Sequence, residues 1–402
     1  MQTPWRKLYI LSVAGALSWL GSSLSTFAVI LRDKDHIGAG GVSVYLLAFT
    51  VPSIFMAPIS GLVADKFSSR QVILPALTIM GLSSASLAAG WPLWWTPVAL
   101  LITACAGTFV GPSMQAVQVV VTAPEDVPRV SGLMQSMAAA GMLFAPALGG
   151  ILVSTTGYFW PFVIDAISFW LLGLVFLALN LNRNPVEHQA KEKLSALAGL
   201  KFVFGNRLIR AIVVLVSVLV ISLSSFNVGG VFLVKDELHT STLIFGVISA
   251  MFPAGSIVGS VLTAAIKLPA KRHGLATIAG IATIVIMMLG LSLAPNWWVA
   301  LVCEFFAGVG NSVLNAYAMG IIMTSSPKEV LGRVNAAIGA LIQSGGAIGI
   351  VLAGIAIAAF TVRPVMFVGA LIALVVLAVF GPEVLRAGKK HVGAQQAEEP
   401  AA

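Results

Sequence analysis

Long apolar runs dominate this sequence: twelve of them, each about 20 residues long, follow one another between short polar segments. An α-helix of about 20 apolar residues crosses the hydrocarbon core of a bilayer, whereas barrel strands would alternate over about 10 residues. Charged residues make up only 9% of the 402 residues, against about a quarter in soluble domains. The sequence therefore predicts an all-α polytopic membrane protein and excludes soluble enzymes, disordered chains and disulfide scaffolds.

The twelve predicted spans set the domain organisation. They cover residues 8–31, 42–64, 71–90, 97–120, 130–154, 159–180, 211–234, 243–266, 274–294, 297–323, 334–360 and 364–382. The first run is longer than the apolar core of a signal peptide, so we expect it to remain in the mature protein. We predict an N-terminal six-helix half over 1–180, a cytoplasmic linker over 181–210, a C-terminal six-helix half over 211–385 and a disordered cytoplasmic tail over 386–402.

Positive charges are divided unequally between the two sides of the membrane. Of the 23 lysines and arginines, 19 lie in loops on the N-terminal side, and the other four are Arg32, Lys34, Lys235 and Arg363. Because cytoplasmic loops carry the excess of positive charge, both termini are expected in the cytoplasm and the protein in the inner or plasma membrane. The net charge of +8 is spread over many short loops, so nucleic acid is not expected as a partner.

The two halves of the chain repeat each other at a separation of about 203 residues. The matched features are Arg32, Asp33 and His36 with Lys235, Asp236 and His239; Trp94 and Trp95 with Trp297 and Trp298; and Pro161 with Pro364. A match at a fixed period with the same helix order indicates two parallel repeats of six helices. The linker between them is basic, and part of it is predicted to form an amphipathic helix on the membrane surface.

Two motifs point to a family. Residues 61–70 read GLVADKFSSR after the second span, and residues 141–150 read GMLFAPALGG in the fifth. They resemble the helix 2–3 loop signature of the major facilitator superfamily and the helix 5 signature of its antiporter branch. Segments 124–132, 165–169 and 327–336 are similar to the enterobactin-exporter and macrolide-efflux group.

The resemblance implies twelve transmembrane helices in two pseudo-symmetric halves, which rock about a midplane site in alternating access. It also implies that Gly61, Asp65, Lys66 and Arg70 form a conformational latch that stabilises the outward-open state. The alternative is that these charges only fix the topology. We favour the latch, because only a conformational role needs the glycine, the acid and the arginine together. We expect a monomer without a cofactor.

Small residues and a proline mark the fifth span. Gly141, Gly149 and Gly150 lack bulky side chains and Pro146 lacks a backbone donor, so this helix is expected to bend and to pack closely. In exporters of the family the motif is taken to close the inner cavity against leaks. Ordinary packing of small residues is an equal alternative.

The predicted spans contain two acids, Asp165 and Glu304. An acid inside the membrane is costly and indicates a functional site. Glu304 shares one helical face with Gly308, Asn311 and Asn315, and this stripe is either a substrate and proton path or a hydrogen-bonded seam between helices. Asp165 lies on a helix that is usually peripheral in the family, so it either contributes to proton coupling or accepts hydrogen bonds from neighbouring helices.

Further residues are candidates for lining a substrate cavity. They come from the first, fourth, seventh and tenth spans, which line the cavity in the family, and they are Trp19, Ser23, Phe27, Phe109, Gln115, Asn227, Asn311 and Asn315. Aromatic and amide side chains suit an amphipathic organic ligand, although each of them is individually more often a packing residue.

Several motifs are missing from the sequence. It contains no GxxxxGK[ST] phosphate loop, no CxxC pair and no histidine inside the predicted spans, and no serine has a visible histidine–acid partner set. Neither an enzyme nor a metal site is therefore expected. The arginine common in the fourth helix of proton antiporters is replaced by Thr103, which puts the family's usual coupling scheme in doubt and leaves more of the argument to Glu304.

These observations predict a secondary transporter that exports an amphipathic small molecule, such as a siderophore, a macrolide or another drug, in exchange for protons. Glu304 is expected to bind proton and substrate competitively. An importer of the same fold and a lipid or lysolipid flippase are the alternatives within the family. A receptor or scaffold that does not transport is the alternative from another class, and it would need no acid inside the membrane.

Overall fold

A computed structural model of the chain describes residues 3–123, 126–182, 196–266, 268–269, 272–325 and 331–398. Within these ranges the regular structure is helical, as the sequence predicts. The helices are α1 (Trp5–Lys66), α2 (Ser69–Ala88), α3 (Trp95–Val121), α4 (Val127–Thr156), α5 (Phe159–Ala178), α6 (Ala196–Gly205), α7 (Arg207–Phe232), α8 (Thr242–Ala265), α9 (His273–Ser292), α10 (Trp297–Ser325), α11 (Leu331–Ala359) and α12 (Val362–Glu398). A π-helical turn, Leu233–Glu237, continues α7.

The first two predicted spans both lie in α1 and meet at a sharp break. Gly38 has φ 59° and ψ −166° there, whereas helical residues continue on both sides. A positive φ is readily accessible to glycine because it has no Cβ. The polar residues between the two spans are therefore not an extended loop but the ends of two helical segments joined at Gly38.

Eleven helical segments in the described part of the chain are long and apolar enough to cross a membrane. The predicted fifth span, residues 130–154, lies within α4. The chain is thus an all-helical membrane-spanning protein. The count of twelve helices remains a prediction.

The chain divides into two compact units. The first comprises Met1–Ala190 and Thr240–Ala250, and the second comprises Lys191–His239 and Met251–Ala402. The start of α8 therefore groups with the first unit, whereas the sequence placed it in the C-terminal half. In the first unit α2 and α5 share a core that contains Ile73, Leu77 and Phe169. In the second unit α7, α9, α10 and α12 enclose a separate core.

Most of the described residues in the linker and tail are helical. Within the predicted linker, α6 buries Val203 against Val334 and Ala337 of α11, and Asn206 caps α7 by accepting hydrogen bonds from the backbone N–H groups of the second and third residues of that helix. At the other end of the chain, α12 continues to Glu398, beyond residue 386, where the sequence predicted a disordered tail to begin.

Candidate functional site

The carboxylate of Glu304 lies on α10 of the second unit and is partly buried. No hydrogen-bond donor or cation of the described residues contacts it. A charged group that is removed from water without a partner is costly. Its position is therefore unlike that of a structural acid, which would be neutralised by its neighbours.

Two amides extend the polar face on which Glu304 lies. Asn315 donates from Nδ2 to the backbone oxygen of Asn311 at 2.8 Å and to its side-chain Oδ1 at 3.1 Å. Val302 and Phe306 lie two residues to either side of Glu304, on the opposite face of the helix, and they are 48% and 47% exposed. Glu304 and Asn311 are partly buried and Asn315 is exposed, so the polar stripe lies opposite an apolar face that suits lipid.

Close contacts hold α10 between α8 and α9. Towards α8, a Cβ on Gly308 would overlap the carbonyl oxygen of Phe252 and lie 2.8 Å from the backbone nitrogen of Ser256. Towards α9, a Cβ on Gly310 would lie 2.8 Å from the carbonyl oxygen of Gly280. Gly308, which the sequence grouped with the polar stripe, is therefore a packing contact.

One face of the helix 5 motif packs against α1 in the first unit. A Cβ on Gly141 would lie 2.8 Å from the carbonyl oxygen of Ala16, and a Cβ on Gly149 would lie 3.0 Å from the Phe27 ring. The absent side chains thus allow α4 and α1 to approach closely, as the sequence predicted for this helix.

The other face of the motif packs against the first turns of α8, which belong to the same unit. A Cβ on Gly150 would lie 3.0 Å from the carbonyl oxygen of Thr242, and a Cβ on Gly246 would overlap the carbonyl oxygen of Pro146. Since Pro146 and Gly150 lie one turn apart, they form one contact surface. Gly141 and Gly149 therefore contact α1, and Pro146 and Gly150 contact α8. All four motif residues lie in close contacts between helices.

Asp165 is 2% exposed and lies on α5, where α1 and α2 pack against it. Its Oδ1 accepts a hydrogen bond from Ser22 Oγ at 3.0 Å, and its Oδ2 accepts one from Ser84 Oγ at 2.6 Å. Ser25 is a third hydrogen-bond partner, and all three are uncharged hydroxyls. Hydrogen bonds from neighbouring helices were one of the two roles predicted for Asp165, and the structure contains such bonds.

The predicted cavity residues differ in exposure. Trp19 is 51% exposed, Gln115 and Asn227 are also exposed, and Ser23 and Phe109 are partly exposed. Phe27 differs from the rest, because it is 8% exposed and its ring stacks on Phe245 with the ring centroids 5.0 Å apart. The structure thus assigns Phe27 to packing within the first unit, and the other members of this set remain accessible.

The helix 2–3 loop motif begins inside α1 and ends at the start of α2. The side chain of Asp65 and the surroundings of Gly61 lie outside what the structure describes, and Lys66 is exposed. Arg70 donates from Nε to the carbonyl oxygen of Leu181 at 3.3 Å and from its terminal nitrogen to Asn180 Oδ1. In this structure Arg70 therefore binds the chain that follows α5.

Replacing Arg70 with Gln is expected to lower the free energy of unfolding by about 1 kcal/mol, because the side chain loses its charge-assisted hydrogen bonds to Leu181 and Asn180. The measurement is thermal unfolding of the purified protein in detergent. Arg6→Gln is the matched control, since Arg6 is an exposed arginine in the first turn of α1. Equal losses in the two variants would show that the contacts of Arg70 add nothing to stability.

Two arginine clusters at the outer helix ends were not predicted from the sequence, which used these residues only to assign topology and the repeat. Arg32 pairs with Asp33 at 2.7 Å and donates to Thr96 Oγ1 at 2.6 Å. In the second unit, Arg363 pairs with Glu237 at 3.3 Å and also donates to the carbonyl oxygens of Ser292 and Ala294. In each unit an arginine therefore ties helix ends together at the predicted outer surface.

Comparison with known proteins gives the class to which this arrangement belongs, a membrane transporter. A family model described as Major Facilitator Superfamily matches residues 11–229 and 214–401. The chain therefore belongs to the major facilitator superfamily, and the resemblance found in its motifs is confirmed.

Among curated relatives, the chain is 24% identical over 306 residues to the enterobactin exporter EntS of Shigella flexneri, covering 74% of this chain and 71% of that protein. It is 26% identical over 304 residues to the exporter of the same name from Escherichia coli O1:K1 / APEC, covering 74% and 72%. The chain is thus a superfamily transporter that resembles the enterobactin exporter group.

Solved structures with very different sequences share the fold. The nucleoside transporter NupG aligns with a TM-score of 0.73 at 16% identity, covering 94% of this chain and 98% of that one. A bacterial homologue of the iron transporter ferroportin, in an inward-facing state, aligns with a TM-score of 0.69 at 15% identity, covering 94% and 100%. Because these proteins carry different cargoes, the fold alone does not determine the substrate.

Proposed function

We propose that this protein exports an amphipathic small molecule by alternating access in exchange for protons. The observation that carries the proposal is the carboxylate of Glu304, which is partly buried on the face of α10 opposite the exposed Val302 and Phe306. It has neither a cation nor a donor of the described residues in contact with it. Such a group is available to a proton or to a ligand that enters from the polar side of the helix.

The charge of the substrate follows from the residues of the predicted spans. None of the twelve spans contains Lys, Arg or His, and their only ionisable acids are Asp165 and Glu304. An anion would find no opposite charge at membrane depth and would be repelled by a carboxylate. The substrate is therefore an amphiphile that is neutral or carries a positive charge, whose polar groups suit Asn311 and Asn315.

Competition at Glu304 supplies the coupling. A carboxylate that holds a proton has no charge with which to attract a cationic group, and a carboxylate paired with such a group binds a proton poorly. Each ligand therefore weakens the binding of the other, as exchange requires. Sites that open alternately to the two sides of the membrane then convert this competition into antiport.

Export is supported by two features. The curated relatives are named enterobactin exporters, and residues 141–150 resemble the signature of the antiporter branch. The charge distribution supports an orientation with both termini in the cytoplasm. We assign the helix 5 motif to tight packing that keeps the transport path free of leaks and the helix 2–3 loop to the conformational latch, and we propose that the protein functions as a monomer.

The proposal is tested by measuring proton release from the purified protein in weakly buffered detergent as ligands are added. The ligands are three amphiphiles of similar size that carry a positive charge, no charge and a negative charge. The cationic compound is expected to release protons in a saturable way, and the anionic compound to release none. Uptake of the active compound into inside-out vesicles, driven by an inwardly acidic gradient, then tests the direction. Protons released only by the anion would contradict the substrate class, and accumulation in right-side-out vesicles would contradict export.

A further inference from the structure

A second ionisable site lies on α5 in the first unit. The carboxylate of Asp165 is 2% exposed, and its two oxygens each accept a hydrogen bond from a different helix, from Ser22 of α1 and from Ser84 of α2. On α5 itself, Ser168 donates from Oγ to the backbone oxygen of Asp165 at 2.7 Å. Two neighbouring helices, α1 and α2, thus bring serine hydroxyls to the carboxylate.

The acid has no fixed counter-charge at its depth. Asp165 is the seventh of the 20 residues of α5, and none of the twelve predicted spans contains a lysine, arginine or histidine that could neutralise it. Hydroxyl donors stabilise a carboxylate but leave its full charge in place. An isolated charge in the interior is expensive, so a mobile positive ion must balance it, either a proton or a small cation.

The local geometry places several oxygen atoms close together, as the binding of a small cation requires. Gly21 of α1 lies against them, and a Cβ there would be 2.7 Å from Ser168 Oγ and 3.0 Å from Asp165 Cα. The absence of that Cβ therefore lets α1 approach α5 closely enough to bring Ser22 to the acid. Ser22 is itself partly exposed, so it connects the buried carboxylate with the exposed side of α1.

We propose that Asp165, Ser22 and Ser84 form a binding site for Na⁺. Every candidate ligand is a hard oxygen, which excludes the soft metals that select sulfur or imidazole. The cluster supplies a single negative charge, so one monovalent cation makes it neutral, whereas a divalent cation would leave an uncompensated positive charge in the membrane. Serine hydroxyls offer lone pairs to the ion and can rotate their hydrogens away from it. The expectation that the chain has no metal site rested on thiolate and imidazole patterns, which do not apply to an alkali cation.

The site is tested on the purified full-length protein in detergent, at constant chloride, with choline exchanged for Na⁺. Na⁺ is expected to raise the melting temperature in a saturable way, because a ligand that binds only the folded state stabilises it. K⁺ is expected to have a smaller effect. Asp165→Asn should abolish the Na⁺ effect, Ser84→Ala should weaken the apparent affinity at least threefold, and Glu304→Gln should leave it unchanged.

Equilibrium binding of ²²Na⁺ to wild type and Ser84→Ala gives a second measurement, which decides the question if Asp165→Asn does not fold. Equal melting temperatures in Na⁺ and choline, with no ²²Na⁺ bound, would overturn the proposal. So would a Glu304→Gln protein that is stabilised by acidification but not by Na⁺, since Asp165 would then be balanced by a proton. A Na⁺ effect that survives in Asp165→Asn would place the ion elsewhere. None of these outcomes depends on whether Glu304 exchanges protons for substrate.

Discussion

The variant Glu304→Gln is expected to lose ligand-triggered proton release completely and to export at least ten times more slowly than wild type. Glutamine has nearly the same shape as glutamate, so the packing of α10 between α8 and α9 is kept. It cannot ionise, so it can neither release a proton nor attract a cationic group. Proton release from the purified protein and uptake into proteoliposomes with an imposed proton gradient measure the two effects.

A complementary variant separates charge from shape at the same position. Glu304→Asp keeps the carboxylate but withdraws it by one methylene group, so proton release should persist while the apparent ligand affinity falls. If Glu304→Gln released protons like wild type, coupling would have to lie elsewhere. If both variants lost transport equally but bound ligand normally, Glu304 would be needed for the conformational change, and the competition proposed here would be wrong.

The sequence singles out the candidate site on α10 for a simple physical reason. One acid in a long apolar run is conspicuous, because a charge inside the membrane is costly and therefore indicates a functional site. The spacing of Glu304, Asn311 and Asn315 places them on one helical face whatever the neighbouring helices are. The structure adds what the periodicity cannot supply, namely that Val302 and Phe306 occupy the exposed opposite face.

Other features depend on partners that are distant in sequence. The serines that bind Asp165 lie 143 and 81 residues away from it, and Arg70 binds Leu181, which lies 111 residues away. Hydrogen bonds of this kind are set by how helices pack, and no local pattern encodes them. The helix 5 glycines are an intermediate case, because small residues predict close packing but do not say against which helix.

The break at Gly38 shows a different limit. Polar residues between two apolar runs predict a loop, since loops are usually polar and lie at the surface. In the structure the helical segments run almost to the break, and a single glycine with φ 59° makes the connection. Composition therefore locates the connection correctly but does not reveal its conformation, which depends on one residue that tolerates a positive φ.

The variant Gly308→Val is expected to lower the free energy of unfolding by about 3 kcal/mol, at the upper end of the usual cost of overpacking. The added side chain would overlap the carbonyl oxygen of Phe252 and crowd the backbone nitrogen of Ser256. Neither is the end of a flexible side chain, so α8 and α10 must move apart as a whole. The separation would also break the hydrogen bonds from Ser256 Oγ to the Gly308 oxygen at 3.2 Å and from Ser312 Oγ to the Ser256 oxygen at 2.5 Å.

Gly339→Val on α11 is the matched control, because a Cβ at Gly339 meets no atom within 4 Å and the two variants make the same change inside a helix. Thermal unfolding in detergent should therefore separate them clearly, and similar losses would show that valine is tolerated between α8 and α10. The comparison also bears on Glu304, which lies one turn before Gly308 on the same face of α10. If the close contact at Gly308 fixes the position of that face, ligand affinity should fall in the Gly308→Val protein that remains folded, whereas the intact carboxylate should still release protons.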